Sequence, residues 1–481
     1  MAFLRALTAM ALGGLLAGCT DRSRAPGGWS GDTCTLPGIT REAECGVVVV
    51  PESPGGAATL PLRIVRVRAR RPGPAREALV LLAGGPGQAA TEAFGRLWPL
   101  YESIAEGRDV LLFDARGTGA SAPLDCERDD DLTATFAAGS LARAAKRCAP
   151  RSAGRSLELF GTDAHVADLE RVRHVMGYER LELLGVSYGT RVALGYARRF
   201  PSRVRALVLD GVAPPSLVLG ATFGRDADAA LDAVFGDCEA DATCRVAFPD
   251  GRGALERRLS ALDAAPAEVV VRHPDTDAPL TLRVERAGLA AALRGLLYAP
   301  ELAALIPYLL AEVEAGRYQA LFGQTVTLGR GAEESMSLGL LFSVACAEDV
   351  PRIDDAAREA ERKSRLGAAL VDDFRQACAA WPVRARPLPT TREPLAVPTL
   401  LLSGAADPAT PPRFAEALAA ELSSSTHVVV PQAGHGVWAR GCVPRLVADF
   451  LERGAADGLD VGCVARYRRP EFFLDRGGPA P

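Results

Sequence analysis

At 481 residues, 48% of them hydrophobic and 24% charged, the chain is longer than one ordinary core, so an enlarged domain or a core with an inserted lobe is expected rather than a small peptide-binding module. A formal net charge of −4 gives no electrostatic basis for a nucleic-acid partner, and none is expected. The excess of Arg over Lys, with abundant Ala, Gly and Pro, reads as coding bias and carries no functional inference.

Residues 1–18 combine one positive charge at Arg5, an apolar run too short for a bilayer span and a small-residue end, which is the layout of an export signal. Leu16, Ala17, Gly18 and Cys19 resemble a bacterial lipobox. That resemblance implies lipidation at Cys19, a membrane partner through the anchor, and an exported lipoprotein of the cell envelope, on the periplasmic face or at the outer membrane. Thr20 in place of Asp favours the outer membrane by analogy, and a secreted protein is the alternative if the lipobox is unused. Polar residues 19–33 suit a tether. Of 11 cysteines, ten remain after Cys19, with no CxxC pair and no neighbouring histidines of a metal site, so neither a metal nor another cofactor is expected. Short loops favour disulfides between sequence neighbours: Cys34 with Cys45, Cys126 with Cys148, Cys238 with Cys244, Cys346 with Cys378, and Cys442 with Cys463.

Apolar, β-branched runs at 46–50, 62–67, 78–82, 109–113, 181–184 and 206–209 predict strands, with helical spacing between some of them, as over 163–176. From 214 to 386 helical patterns dominate, notably 227–234 and 302–314, and predict an inserted lid. Strands at 398–402 and 427–430, with helices near 412–422 and 443–452, restore the alternation. The expectation is an α/β fold with a mostly parallel eight-stranded sheet: core over 34–213, mainly helical lid over 214–386, core again over 387–481.

The chemistry-bearing motif is GxSxG at Gly185, Val186, Ser187, Tyr188 and Gly189, set between a strand and a helix. Bulky flanking residues would clash at such a turn, which is why glycines bracket an exposed hydroxyl. A serine nucleophile needs a base, and the base a carboxylate. His165 and His174 fall on the helix before the motif, His273 in the lid and His427 on a strand, whereas His435 follows the last strand in a Gly-flanked loop. Asp407 follows the preceding strand, giving the order Ser, Asp, His; Asp210, at the end of the 206–209 strand, is the competing acid.

Two backbone donors complete an oxyanion hole: the N–H of Tyr188, and one from Ala83, Gly84, Gly85, Pro86 and Gly87, with Gly85 the best single candidate. A GxGxxA match at 117–122 mimics a dinucleotide fingerprint, but Pro123 and the loop-like residues after it leave no helix to receive a phosphate, so NAD is rejected.

GGPG at 84–87, DARGTGAS at 114–121, GVSYG at 185–189, Asp407 in SGAADPATPP and His435 in AGHGV together resemble the prolyl iminopeptidase and tripeptidyl aminopeptidase group of serine peptidases, with residues from about 397 nearest the tripeptidyl aminopeptidase branch. The resemblance implies an α/β-hydrolase fold and cleavage of a peptide substrate near its free N-terminus. Ala83 departs from the His usual before GGPG, against proline-specific cleavage. Glu348 and Asp349, in the lid beside Cys346, are the candidates for binding the substrate ammonium. The alternatives are a carboxylesterase of small or lipid esters and a catalytically silent binding lipoprotein that keeps the fold.

Overall fold

Strands that are buried at nearly every position must be covered on both faces, and five such strands dictate the architecture. The computed structural model describes residues 29, 31–71, 76–127, 130–389 and 394–479. The expected export signal and Cys19 lie outside the described residues. In chain order the strands are β1 (Gly31–Cys34), β2 (Ala43–Pro51), β3 (Thr59–Val67), β4 (Glu77–Leu82), β5 (Asp109–Phe113), β6 (Arg180–Val186), β7 (Val204–Asp210), β8 (Ala267–Arg272), β9 (Pro279–Val284), β10 (Thr399–Gly404) and β11 (Ser425–Val430). One sheet runs in the order β1-β2-β3-β5-β4-β6-β7-β10-β11. From β5 to β11 all pairings are parallel; β1, β2 and β3 add an antiparallel edge.

Alternation along each strand splits the core in two. Val80 and Leu82 of β4 pack on one face with Leu183 and Leu207, under the helices Thr162–Met176 and Tyr188–Arg199. Leu79 and Leu81 face the other way, with Leu184, Leu400, Trp98 and Phe450. The sheet is therefore a buried slab whose parallel strands all end at one edge, where ligands of open α/β sheets bind.

The sheet has nine strands, not the eight expected, because β1 begins at Gly31 inside the expected tether. Its polar residues give no apolar pattern, and its pairing depends on a neighbour: Cys34 lies opposite Ala43, and a disulfide joins it to Cys45. All five disulfides join the expected sequence neighbours. Between β7 and β10 the chain leaves the sheet and builds a separate core from helices such as Phe223–Ala240, Gly251–Ala264, Arg286–Leu296 and Gln319–Ser335. The lid is not purely helical, since β8 and β9 form an antiparallel hairpin within it. Phe136, from the segment after β5, is buried in this lid core, so the first part of the chain also anchors the insertion. Among the described residues, no helix is long and apolar enough to cross a membrane.

Candidate active site

The site is built where β6 passes into the Tyr188–Arg199 helix. Ser187 stands at that turn with φ 55° and ψ −122°, a backbone conformation that costs an L-residue on the order of 1–3 kcal/mol and is held only by its surroundings. The glycines on either side are steric requirements. A Cβ on Gly185 would lie 2.5 Å from the Gly189 carbonyl, and one on Gly189 would collide with the Leu82 carbonyl. The Ser187 amide donates to the Asp210 carbonyl at 2.8 Å, which ties the turn to the end of β7.

Asp407 and His435 arrive from the ends of β10 and β11. His435 Nδ1 lies 2.8 Å from Asp407 Oδ2. The other carboxylate oxygen, Oδ1, accepts the amides of Ala409 and Thr410, each at 2.8 Å. The His435 ring packs over Gly211, where a Cβ would sit 3.0 Å from the imidazole, and against Tyr298, whose ring centroid is 5.3 Å away. The His435 amide donates to the Tyr298 carbonyl at 2.9 Å, so the lid segment after the Arg286–Leu296 helix helps hold the loop that carries the base. Nucleophile and imidazole thus flank the same 210–211 turn. The Ser187 hydroxyl makes no hydrogen bond to His435 in this geometry; such contacts are commonly long in resting hydrolases and tighten with substrate.

Burial opposes charge on both members of the acid–base pair, but their mutual attraction wins. Asp407 is held below the ordinary carboxylate range by the His435 charge and by its hydrogen bonds to His435, Thr410 and Ala409. His435 is raised above the ordinary imidazole value by Asp407, with a smaller contribution from Asp210. Only neutral imidazole accepts the serine proton, so kcat/KM is expected to fall toward acid through a limb lying above pH 6.5. Asp210→Asn removes one of the raising charges and is expected to move that limb toward lower pH, as a pH–rate profile would read.

Asp210, the competing acid, is not the partner of the histidine. Its Oδ2 accepts the amides of Val437 and Trp438 at 2.7 and 2.8 Å, which fixes the segment just after His435. Burial pushes this carboxyl up to about 6. Two further residues were not singled out from sequence. Thr410 Oγ1 donates to Asp407 Oδ2 at 2.8 Å and lies 3.1 Å from His435 Nδ1, and Tyr298 supports the imidazole. The clue to Thr410 was its place three residues after Asp407, where a hydroxyl returns to cap a turn carboxylate. Of the other histidines, His165 is buried with Nδ1 3.0 Å from the Tyr188 hydroxyl, and burial pushes it down to about 3; His427 bonds Ser403 Oγ at 3.0 Å.

On the opposite side of Ser187, Gly84 approaches so closely that a Cβ there would lie 3.1 Å from the serine Cβ. Gly85 has φ 104° and lines a cavity that also touches Tyr298. The Tyr188 amide opens a 12-residue helix, where unpaired N–H groups favour negative charge. The arrangement suits attack by a serine hydroxyl, proton removal by imidazole and stabilisation of an oxyanion by backbone amides. Around the 117–122 motif a series of tight turns stands in place of a helix, with Ser121 N bonded to the Thr118 carbonyl at 2.8 Å.

Glu348 and Asp349 are a correction: they do not face the cavity. They are 3% and 0% exposed, within a π-helical turn packed against the core. Asp349 takes both terminal nitrogens of Arg191 at 2.9 and 3.2 Å. Glu348 accepts the Thr162 amide and hydroxyl at 2.6 and 2.7 Å, and Thr162 in turn bonds the Tyr188 hydroxyl at 2.9 Å. Burial raises Glu348 to about 7. Buried and engaged with core groups, these carboxylates buttress the nucleophile helix and are not presented to a substrate ammonium. Arg191→Met, which leaves both acids buried without their cation, is expected to cost about 3–5 kcal/mol by urea unfolding, and Asp349→Leu in the same chain to restore part of it.

Residues 77–237 match the alpha/beta hydrolase fold family, and residues 364–463 match the TAP-like protein family. The chain is 28% identical over 475 residues to Serine protease Hip1 of Mycobacterium tuberculosis, spanning 88% of this chain and 87% of that one. It is 31% identical over 198 residues to Tripeptidyl aminopeptidase of Streptomyces lividans, spanning 37% of each. Among solved structures, proline iminopeptidase of Mycobacterium smegmatis aligns with a TM-score of 0.42 at 17% identity, covering 85% of this chain and 98% of that one. The sheet order, the nucleophile turn and the two matched regions together show that the chain has the α/β-hydrolase fold, with a C-terminal region similar to the TAP-like protein family.

Proposed function

We propose that the protein is a serine peptidase that forms an acyl-enzyme on Ser187 and releases residues or short peptides from a free N-terminus. The observation that carries this reading is the convergence at one sheet edge of the Ser187 turn, which Gly84 closely approaches, and the Asp407–His435 pair at 2.8 Å, beside a cavity lined by Gly85 and by Tyr298, the ring that packs on His435. His435 takes the Ser187 proton as Oγ attacks the carbonyl carbon. The amides of Tyr188 and Gly85 receive the oxyanion, and His435 passes the proton to the departing amine. Water, deprotonated by the same imidazole, then attacks the ester and frees Ser187.

The peptidase names of the relatives support this choice over the esterase alternative, since the same triad hydrolyses esters and the fold does not select a substrate. Action at the N-terminus is the finer part of the proposal, supported by the lid that roofs the cavity. Paired chromogenic tripeptides with a free or acetylated N-terminus test it, with a butyrate ester alongside. Cleavage of the free-amine peptide alone supports release from the N-terminus; equal cleavage of both overturns it; turnover of the ester alone replaces peptidase by esterase.

The proposal extends to location. The export-signal layout of residues 1–18, Cys19 in its lipobox context and five disulfides fit an exported, lipid-anchored envelope protein. Palmitate labelling of the full chain, lost in Cys19→Ala, checks it; a labelled variant contradicts it.

A further inference from the structure

The cavity lined by Gly85 and Tyr298 has a volume of about 470 Å³, and these two residues set it beside the glycine loop and the His435 imidazole. Most of its wall is apolar, with Leu141, Phe223, Met336, Leu341 and Phe374. Four charged side chains also line it, and three are already engaged. Arg286 pairs with Asp263 at 2.7 Å, and Arg365 with Asp232 at 2.7 Å. Asp373 accepts the amides of Leu141 and Ala142 at 3.1 and 2.9 Å, which cap the start of the Ser140–Cys148 helix.

Arg294 is different. Among the described residues no carboxylate lies within ion-pair distance of it, and its one hydrogen bond runs from Nη1 to the Leu366 carbonyl at 3.0 Å. That bond anchors one corner of the guanidinium and leaves most of its five donors free. Those donors are not sealed in protein, and the side chain lines the cavity. The acids nearest in charge are held by others: Asp373 by the helix amides, and Glu361 by the Gly224 amide at 2.7 Å and Arg225 at 2.8 Å. Burial lowers the guanidinium's pKa, and Tyr298, Asp373 and Glu361 offset that only in part. A charge removed from water without a partner is costly, and an incoming anion relieves the cost.

We propose that Arg294 is the anion-recognition residue of this cavity, and that the preferred substrate carries a carboxylate set against its free guanidinium edge. A planar fork of N–H donors matches a carboxylate in two parallel hydrogen bonds, whereas an ammonium at the same place is repelled. The inference rests on the peptidase reading for its choice of substrate. The carboxylate has two sources, an acidic side chain on the acyl portion or the free C-terminus of a short peptide, and the chemistry at Arg294 is the same for both.

The test uses the exported domain with three substrate pairs: tripeptide anilides differing only as Glu or Gln within the acyl portion, short peptides ending in acid or amide, and 4-nitrophenyl hemisuccinate against 4-nitrophenyl butyrate. Wild-type enzyme is expected to favour one carboxylate-bearing peptide by about tenfold or more, with the gain in KM rather than kcat. The pair that responds identifies the source. Arg294→Met brings that ratio to about 1, and Arg294→Lys retains part of it. Equal rates within both peptide pairs in the wild type, or a ratio that survives in Arg294→Met, overturns the proposal; the wild-type comparison holds even if the Met variant fails to fold. If no peptide is cut but the esters are, the peptidase reading falls, and the hemisuccinate-to-butyrate ratio alone decides the role of Arg294.

Discussion

Ser187→Ala lowers kcat at least about 10⁴-fold on any substrate the enzyme turns over, while its unfolding midpoint in urea stays at the wild-type value. The first half follows from chemistry: without Oγ there is no acyl-enzyme, and only the amides of Tyr188 and the Gly85 loop remain to polarise a carbonyl for direct attack by water. The second half follows from geometry. Ser187 sits at φ 55°, and the strain there comes from its Cβ, which alanine keeps. Ser187→Gly removes that Cβ and is expected to be as inactive but more stable, by about 1 kcal/mol. An inactive variant that gains stability separates a strained functional turn from an ordinary strand-to-helix connection, where glycine would only destabilise.

Asp407→Asn lowers kcat by about 10⁴-fold, and Asp210→Asn by no more than about 10²-fold, although both acids are buried beside the same histidine. Asp407 Oδ2 lies 2.8 Å from Nδ1, so it selects the tautomer that leaves Nε2 free to accept the serine proton. An amide can present its NH2 to Nδ1 and so stabilise the wrong tautomer, and it has no charge to balance the imidazolium. Asp210 meets no part of the ring. One of its oxygens accepts two loop amides, and the other, Oδ1, has no hydrogen-bond partner. An asparagine can keep its carbonyl on Val437 and Trp438, so the loop stays in place and mainly the field at His435 changes. Equal losses in the two variants, measured as kcat at saturating substrate, would contradict the assignment of Asp407.

The parts of the site legible in the sequence are those where a local rule decides the residue. GxSxG is forced by steric crowding between β6 and the following helix, and the acid and base lie just beyond their strands, where a parallel sheet delivers side chains to one edge. What sequence left open was decided by residues distant along the chain. Glu348 and Asp349 have the charge an aminopeptidase needs, but their partner Arg191 is 158 positions from Asp349 and turns them into the core. The strand Gly31–Cys34 is polar enough to read as a tether and becomes a strand only by pairing with β2. The hairpin β8–β9 was hidden because a short alternating run within a helical region gives little periodicity to detect. Arg294 carries no sequence signal at all, since its interest lies in lacking an acidic partner within a cavity.

The central claim is a covalent intermediate on one serine, and intact-mass spectrometry of enzyme quenched in acid during turnover of a slow chromogenic substrate tests it most directly. The account predicts a single adduct with the mass of the acyl group, located by digestion to Ser187, decaying as product forms and absent from Ser187→Ala. Turnover with no adduct in either steady or pre-steady state, or an adduct that maps to another residue and persists in Ser187→Ala, would contradict it.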